Sequence, residues 1–142
     1  MKIEVSNGEV LDKISILEIK LNRMKDEERR KHVLNELQLL VESAADAGLN
    51  EWFTKKDEYR ELLQANQALW LIEDRLRYKE NKQEFDDEFV ELARSVYIVN
   101  DQRADIKRRI NEQSNSLLVE EKEYTTKYEP NCRETLDESS TD

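Results

Sequence analysis

A chain of 142 residues in which 39% are charged is long enough for one hydrophobic core and no more. Its net charge of −10 argues against non-specific binding to nucleic acid or to an anionic membrane, since both need a positive footprint. Two glycines exclude a phosphate-cradling loop of the Walker or dinucleotide type, and one histidine excludes a helical di-metal site built on two Glu-x-x-His motifs.

The single cysteine, Cys132, has no internal partner for a disulfide, which fits a reducing compartment. No apolar run approaches the ~20 residues that span a bilayer, and the start MKIEVSNGEV lacks the apolar core of a signal peptide. A soluble, cytoplasmic protein is expected, with no membrane contact. Two glycines and one proline leave little material for tight turns, so long helices are expected.

The first helix is expected over 8–25. Ser6 and Glu9 have capping-box spacing, in which each side chain satisfies the other's backbone N–H. Val10, Ile14, Leu17, Leu21 and Met24 form one stripe, and Leu11, Ile16 and Ile19 point elsewhere on the same helix. A helix apolar on several sides is normally surrounded by protein, so this one is read as a buried strut or as part of a subunit interface.

Asp26 is placed to cap a second helix over 27–47, with Glu27 and Glu28 in its first turn. The absence of glycine or proline near residue 26 leaves a continuous first and second helix as the alternative. The second seam is Val33, Leu37, Leu40 and Ala44, and Gly48 is the expected left-handed stop with Leu49 covering the end.

A third helix over 51–80 carries Tyr59, Leu62, Asn66, Leu69, Glu73 and Leu76 at three-four spacing, widened by Leu63 and Trp70. KENKQEFDDE makes a turn. A fourth helix over 85–113 carries Phe89, Leu92, Val96, Val99, Ile106 and Ile110, interrupted by Asn100 and Arg103. NEQSNS loosens the helix, and Ser116 is placed to cap a short final segment, LLVEEKEY. The expected fold is an all-α bundle over 1–128, built on a long antiparallel hairpin of the third and fourth helices with the first buried against it. From Glu129 onward the chain has one apolar aliphatic residue, so 129–142 is read as a disordered acidic tail.

Folding the third and fourth helices back about a turn near residue 83 sets Asn66 opposite Asn100, with Arg103 within one turn and Glu73 near Arg94. Beside plain solvent exposure, two readings of this polar seam follow. In the first, Asn66, Glu73, Asn100 and Arg103 satisfy one another and set the register, as polar seam residues do in coiled coils. In the second, Glu73, Asn100 and Arg103, extended by Lys107, line a pocket for a small anionic metabolite such as a nucleotide or nucleotide sugar.

Other chemistries find little material. His32 lies in the charged stretch DEERRKHV and reads as solvated. Asp87, Glu88 and Glu91 could suggest magnesium, but the paired Glu-x-x-Glu and Glu-x-x-Asp pattern of all-helical nucleotide pyrophosphatases is not completed. Lys107, Arg108 and Arg109 form a small basic patch, read as a solvated face near the helix C-terminus, with an anion or an acidic partner segment as the alternative. Trp70 is read as core packing and Trp52 as the cover of a bundle end. No catalytic residue, metal or cofactor is expected.

EVSNGEVLDKISILEIKLNRM, LWLIEDRLR, LARSVYIVNDQRADIKRRIN and SLLVEEKEY, in that order over roughly residues 1–125, resemble a family of short helical proteins of bacteria and their viruses known only as a domain of unknown function. The resemblance implies that VNDQRADIKRRIN belongs to the common architecture, and it transfers no activity. The leading expectation is a non-catalytic interaction or scaffold protein, a homodimer through the surplus apolar faces of the first helix, with a further protein partner open. The rival is the metabolite-binding bundle.

Overall fold

The computed structural model describes residues 1–123. Over these the chain forms four α-helices, α1 (Asn7–Arg23), α2 (Glu27–Asp46), α3 (Asp57–Asn81) and α4 (Asp87–Gln113), with a 3-10 turn at Asn50–Phe53 between α2 and α3. The acidic tail expected over 129–142, together with Cys132, lies outside the described residues.

Each helix start has a local cause. Ser6 Oγ accepts from the Glu9 N–H at 3.1 Å, Asp26 accepts from Arg29 N–H at 3.0 Å, and Asp86 accepts from Phe89 N–H at 3.0 Å. The capping box at Ser6 is only half used, because the Glu9 carboxylate turns away to Lys107. The break between α1 and α2 needs neither glycine nor proline. Met24 is extended, and the Arg30 guanidinium donates to the carbonyls of Leu21 and Met24, satisfying the end of α1 from one turn inside α2. Gly48, at φ +75°, ends α2, and Leu49 is buried beneath it.

α3 begins six residues later than expected. Trp52 is buried and Phe53 packs edge-to-face on Tyr59 at 4.9 Å, so the chain spends 50–53 on a tight turn that closes the bundle end before the helix can start. The final helical segment expected after Ser116 does not form within 117–123. Ser116 Oγ instead accepts from the Asn7 N–H at 3.0 Å, and the strand of chain that follows lies back on α4.

α1 touches α2, α3 and α4. The reason is its two stripes. Val10, Leu11 and Ile14 enter a core shared with Ala44, Leu49, Trp52, Tyr59, Leu62, Ile106 and Ile110, and Leu17 is buried on the same stripe. On the other side Gly8, Asp12, Ser15 and Ile19, at four-three-four spacing, are all buried as well.

α3 and α4 lie along each other and run in opposite directions. Glu58 meets Gln113 and Glu61 meets Arg109 at one end, while Arg75 meets Glu88 and Lys79 meets Asp86 at the other. α1 follows this pair for only part of its length. Beyond Asn66 on α3 and before Ile106 on α4, the apolar seam residues Leu69, Ile72, Leu76, Phe89, Leu92, Val96 and Val99 are at most half-buried. The core sits where the first half of α1 meets the end of α2, the turn at 50–53, the start of α3 and the end of α4, and the other end of α3 and α4 projects past it.

Candidate functional site

The polar residues singled out in the sequence converge on a partner that the seam argument did not contain. Asp12, fully buried on α1, accepts from Arg103 twice, Nε to Oδ1 at 2.9 Å and Nη2 to Oδ2 at 2.6 Å. This is the bidentate fork that fits a guanidinium to a carboxylate. Asn66 Nδ2 donates to Asp12 Oδ1 and to Ser15 Oγ, both at 2.8 Å, and Ser15 in turn donates to the Asp12 carbonyl. Arg103 Nη1 also donates to Asn100 Oδ1 at 3.1 Å. Asn66 and Asn100 therefore do not satisfy each other across α3 and α4. Both belong to one network centred on α1.

Burial works to raise the Asp12 carboxyl, but the hydrogen bonds from Arg103 and Asn66 and the charges of Arg103 and Lys107 hold it below the ordinary carboxylate value. The same pairing raises Arg103, against burial. The apolar rhythm of the first helix does not reveal Asp12, because it lies on the face opposite the stripe of Val10, Ile14 and Leu17. The second stripe, Gly8, Asp12, Ser15 and Ile19, was the available signal, since a charged residue within an inward-facing series needs a partner.

Glu73 and Lys107 stand apart from this network. Glu73 is exposed and nearest to Arg77 of its own helix at 3.8 Å, so it sets no register between α3 and α4. Lys107 pairs with Glu9 at 2.6 Å and with Glu120 at 3.5 Å on the far side of α1's first turn. Burial opposes its charge, and the hydrogen bond to Glu9 with the charges of Glu9, Asp12 and Glu120 together raise it above the ordinary lysine value. The rest of the basic patch is also engaged, Arg108 with Glu112 and Glu121, Arg109 with Glu61. The first turn of α1 is closed in the same way, with Gly8 N–H donating to Asn111 Oδ1 at 2.7 Å and Ser6 Oγ donating to Glu120 at 2.7 Å.

Three of the four sequence-proposed ligand residues do share a cavity. A cleft of about 510 Å³ opens where α1 leaves α3 and α4, lined by Glu73, Asn100 and Arg103 together with Asn66, Trp70 and Val96, and closed on the α1 side by Ile16 and Ile19. Lys107 is not among its walls. Trp70, expected in the core, is half-buried here with the Arg23 guanidinium 6.0 Å from its ring centre. Among the described residues no three His, Cys, Asp or Glu side chains converge as a metal site, and no helix is long and apolar enough to cross a membrane.

Fold and site together define a protein that is all-helical over the described residues, with its buried carboxylate, Asp12, paired by groups of α3 and α4. The chain belongs to a family of unknown function (DUF6165), whose model matches residues 1–134. No curated protein and no solved structure matches it.

Proposed function

We propose that this protein is a non-catalytic helical interaction protein that acts as a scaffold in the cytoplasm by self-association. The observation that carries the reading is the end of α3 and α4 that α1 does not reach. There Leu71, Tyr78, Phe85, Val90 and Tyr97 are 55, 49, 54, 51 and 43% exposed. Large apolar side chains are also exposed on α2, at Leu34, Leu39 and Val41, and at the chain start and residues 117–119. The five named first, however, lie on a helix pair that α1 leaves uncovered, and apolar surface of that kind is suited to a contact. A long antiparallel hairpin bare on its flanks is also half of a four-helix layer, which a second copy would complete. Pairing of the charged groups with one another, Asp12 with Arg103, Glu9 with Lys107 and Lys79 with Asp86, supports a structural rather than a catalytic role for them.

The test is light scattering coupled to gel filtration on the full chain over a wide concentration range. The wild type is expected to elute as a dimer, and the double variant Val90→Glu/Tyr97→Glu as a monomer of unchanged helicity. A wild type that stays monomeric at every concentration defeats the proposal.

A second reading, a bundle that binds a small anionic metabolite such as a nucleotide or nucleotide sugar, is favoured by the shared lining of the cleft by Glu73, Asn100 and Arg103. It is weakened by the carboxylates already held by Arg103 and Lys107.

A further inference from the structure

We propose that residues 124–128, YTTKY, which follow the described part of the chain, dock within the same chain on one flank of α4, with Tyr124 and Tyr128 covering Tyr97 and Val90. The docking does not rest on self-association, since a second copy that covers the same two side chains would have to displace the segment.

The first support is the path of the chain up to Glu123. At the end of α4, Ser116 N–H donates to the Asn111 carbonyl at 2.9 Å while Ser116 Oγ accepts from Asn7. Glu120 then meets Lys107 at 3.5 Å and accepts from Ser6 Oγ at 2.7 Å, and Glu121 meets Arg108 at 2.6 Å. By 120–123 the chain faces Asp101, Ala104 and Arg108 across a cleft of about 400 Å³. It is therefore running back along α4 toward the turn at 82–86. Arg108, Ala104, Asp101, Tyr97, Arg94 and Val90 follow one another at four, three, four, three and four, so they form a single row on that helix. The chain passes Glu123 on this row, and the exposed side chains of Tyr97 and Val90 lie directly ahead of it.

Length and chemistry supply the rest. Asp101 and Val90 are eleven positions apart, about 16 Å along a helix, and five extended residues span about the same distance. Tyr124 and Tyr128 are four apart, which in an extended chain sets both rings on one side, about 13 Å from each other. Tyr97 and Val90, seven helix positions apart, are separated by about 10 Å, so the two rings can reach both. Rings laid on an exposed Tyr and Val remove apolar surface from water. Charge agrees with this. On the flank to be crossed Arg94 is met by Glu91 at 3.8 Å and Asp86 by Lys79, while Asp101 and Asp87 add two negative charges. Lys127 is the one charged group of YTTKY and has the opposite sign. From Glu129 onward the sequence is acidic again, and the match ends there.

The experiment uses the full chain with a nitroxide on its single cysteine, Cys132. Isotope-labelled chains that carry the nitroxide are diluted into an excess of plain chains, so that broadening of an amide signal reports on its own chain. Broadening is expected over 87–97 of α4 and not over 34–41 of α2. Tyr124→Ser/Tyr128→Ser should weaken it at least about fivefold while leaving the helical content unchanged. In the reverse mixture, with isotope and nitroxide on different chains, the same signals should stay sharp. The proposal is overturned if α2 and α4 broaden alike, if only the reverse mixture broadens 87–97, or if the double variant broadens them as the wild type does. Broadening in the reverse mixture alone would leave self-association standing without the docking. Broadening within a chain that light scattering finds monomeric would leave the docking standing without self-association.

Discussion

Asp12 shows how one side chain can hold three helices in register. A carboxylate with 1% of its side chain exposed is tolerable only because both of its oxygens find donors, three hydrogen bonds in all, and those donors come from α3 and α4. Removing Arg103 strands that charge. Arg103→Met is therefore expected to cost about 3 kcal/mol in urea unfolding. The double variant Asp12→Leu/Arg103→Met should recover much of the loss, because an apolar pair leaves nothing unpaired. If the single and double variants are equally destabilised, the pair is not the cause. The pH profile follows from the same contact. A folded-state carboxyl held below the ordinary 3.8 gives its full stabilisation at neutral pH and loses it as the pH falls through the lowered value. Asp12→Asn should accordingly flatten the acid limb of the stability curve and leave its shape above pH about 5 unchanged.

At the scale of the element, the two glycines separate two kinds of constraint. Gly8 is helical, so alanine there would gain helix propensity of about 1 kcal/mol. A Cβ on it, however, would lie 2.7 Å from the Lys107 carbonyl oxygen and 3.0 Å from Asn111 Oδ1. Backbone cannot yield as a flexible side chain can, so α1 and α4 must separate. Gly48 is the reverse case, with open space around it but φ at +75°. Gly8→Ala is expected to lower stability by about 2 kcal/mol and to disturb the Asp12–Arg103 pair next to it, while Gly48→Ala costs about 1 kcal/mol of local strain. Thermal melts rank the two, and a Gly8→Ala protein as stable as the wild type would refute the close crossing. The sequence made elements of this kind readable in part. Caps at Ser6 and Asp26, the stop at Gly48 and the stripes of α1, α2 and α4 are local patterns, and they place the helices to within a few residues. The late start of α3 was not legible, because Trp52 and Phe53 answer to a distant core rather than to their neighbours in sequence. The polar site was half legible for a related reason. Asn66, Asn100 and Arg103 announce themselves as interruptions in an apolar rhythm, but which helix supplies the opposite charge is a matter of packing.

Across the whole molecule, stability should be unevenly spread. Near Tyr59, Leu62, Ile106 and Ile110, α3 and α4 share a closed core with α1 and the end of α2. Toward the turn at 82–86 the same two helices have only each other, and the buried side chain there is Lys79, fixed by Asp86 at 2.9 Å and Glu88 at 3.2 Å. An apolar seam left half-covered contributes less than the ~1.5–3 kcal/mol that full burial of each Leu, Val or Phe would give. Amide exchange should therefore be slowest around 59–66 and 103–110 and become faster along both helices toward the turn, through opening of that end without loss of the base. The gradient also bears on self-association. If a second copy covers Val90 and Tyr97, exchange at 71–97 should slow as protein concentration rises, while the base, already closed, should not respond. A gradient that is present but independent of concentration would keep the uneven core and discard the interface. Uniform protection from Asp57 to Gln113 would discard both, because it would require the projecting end to be as firmly held as the end that α1 covers.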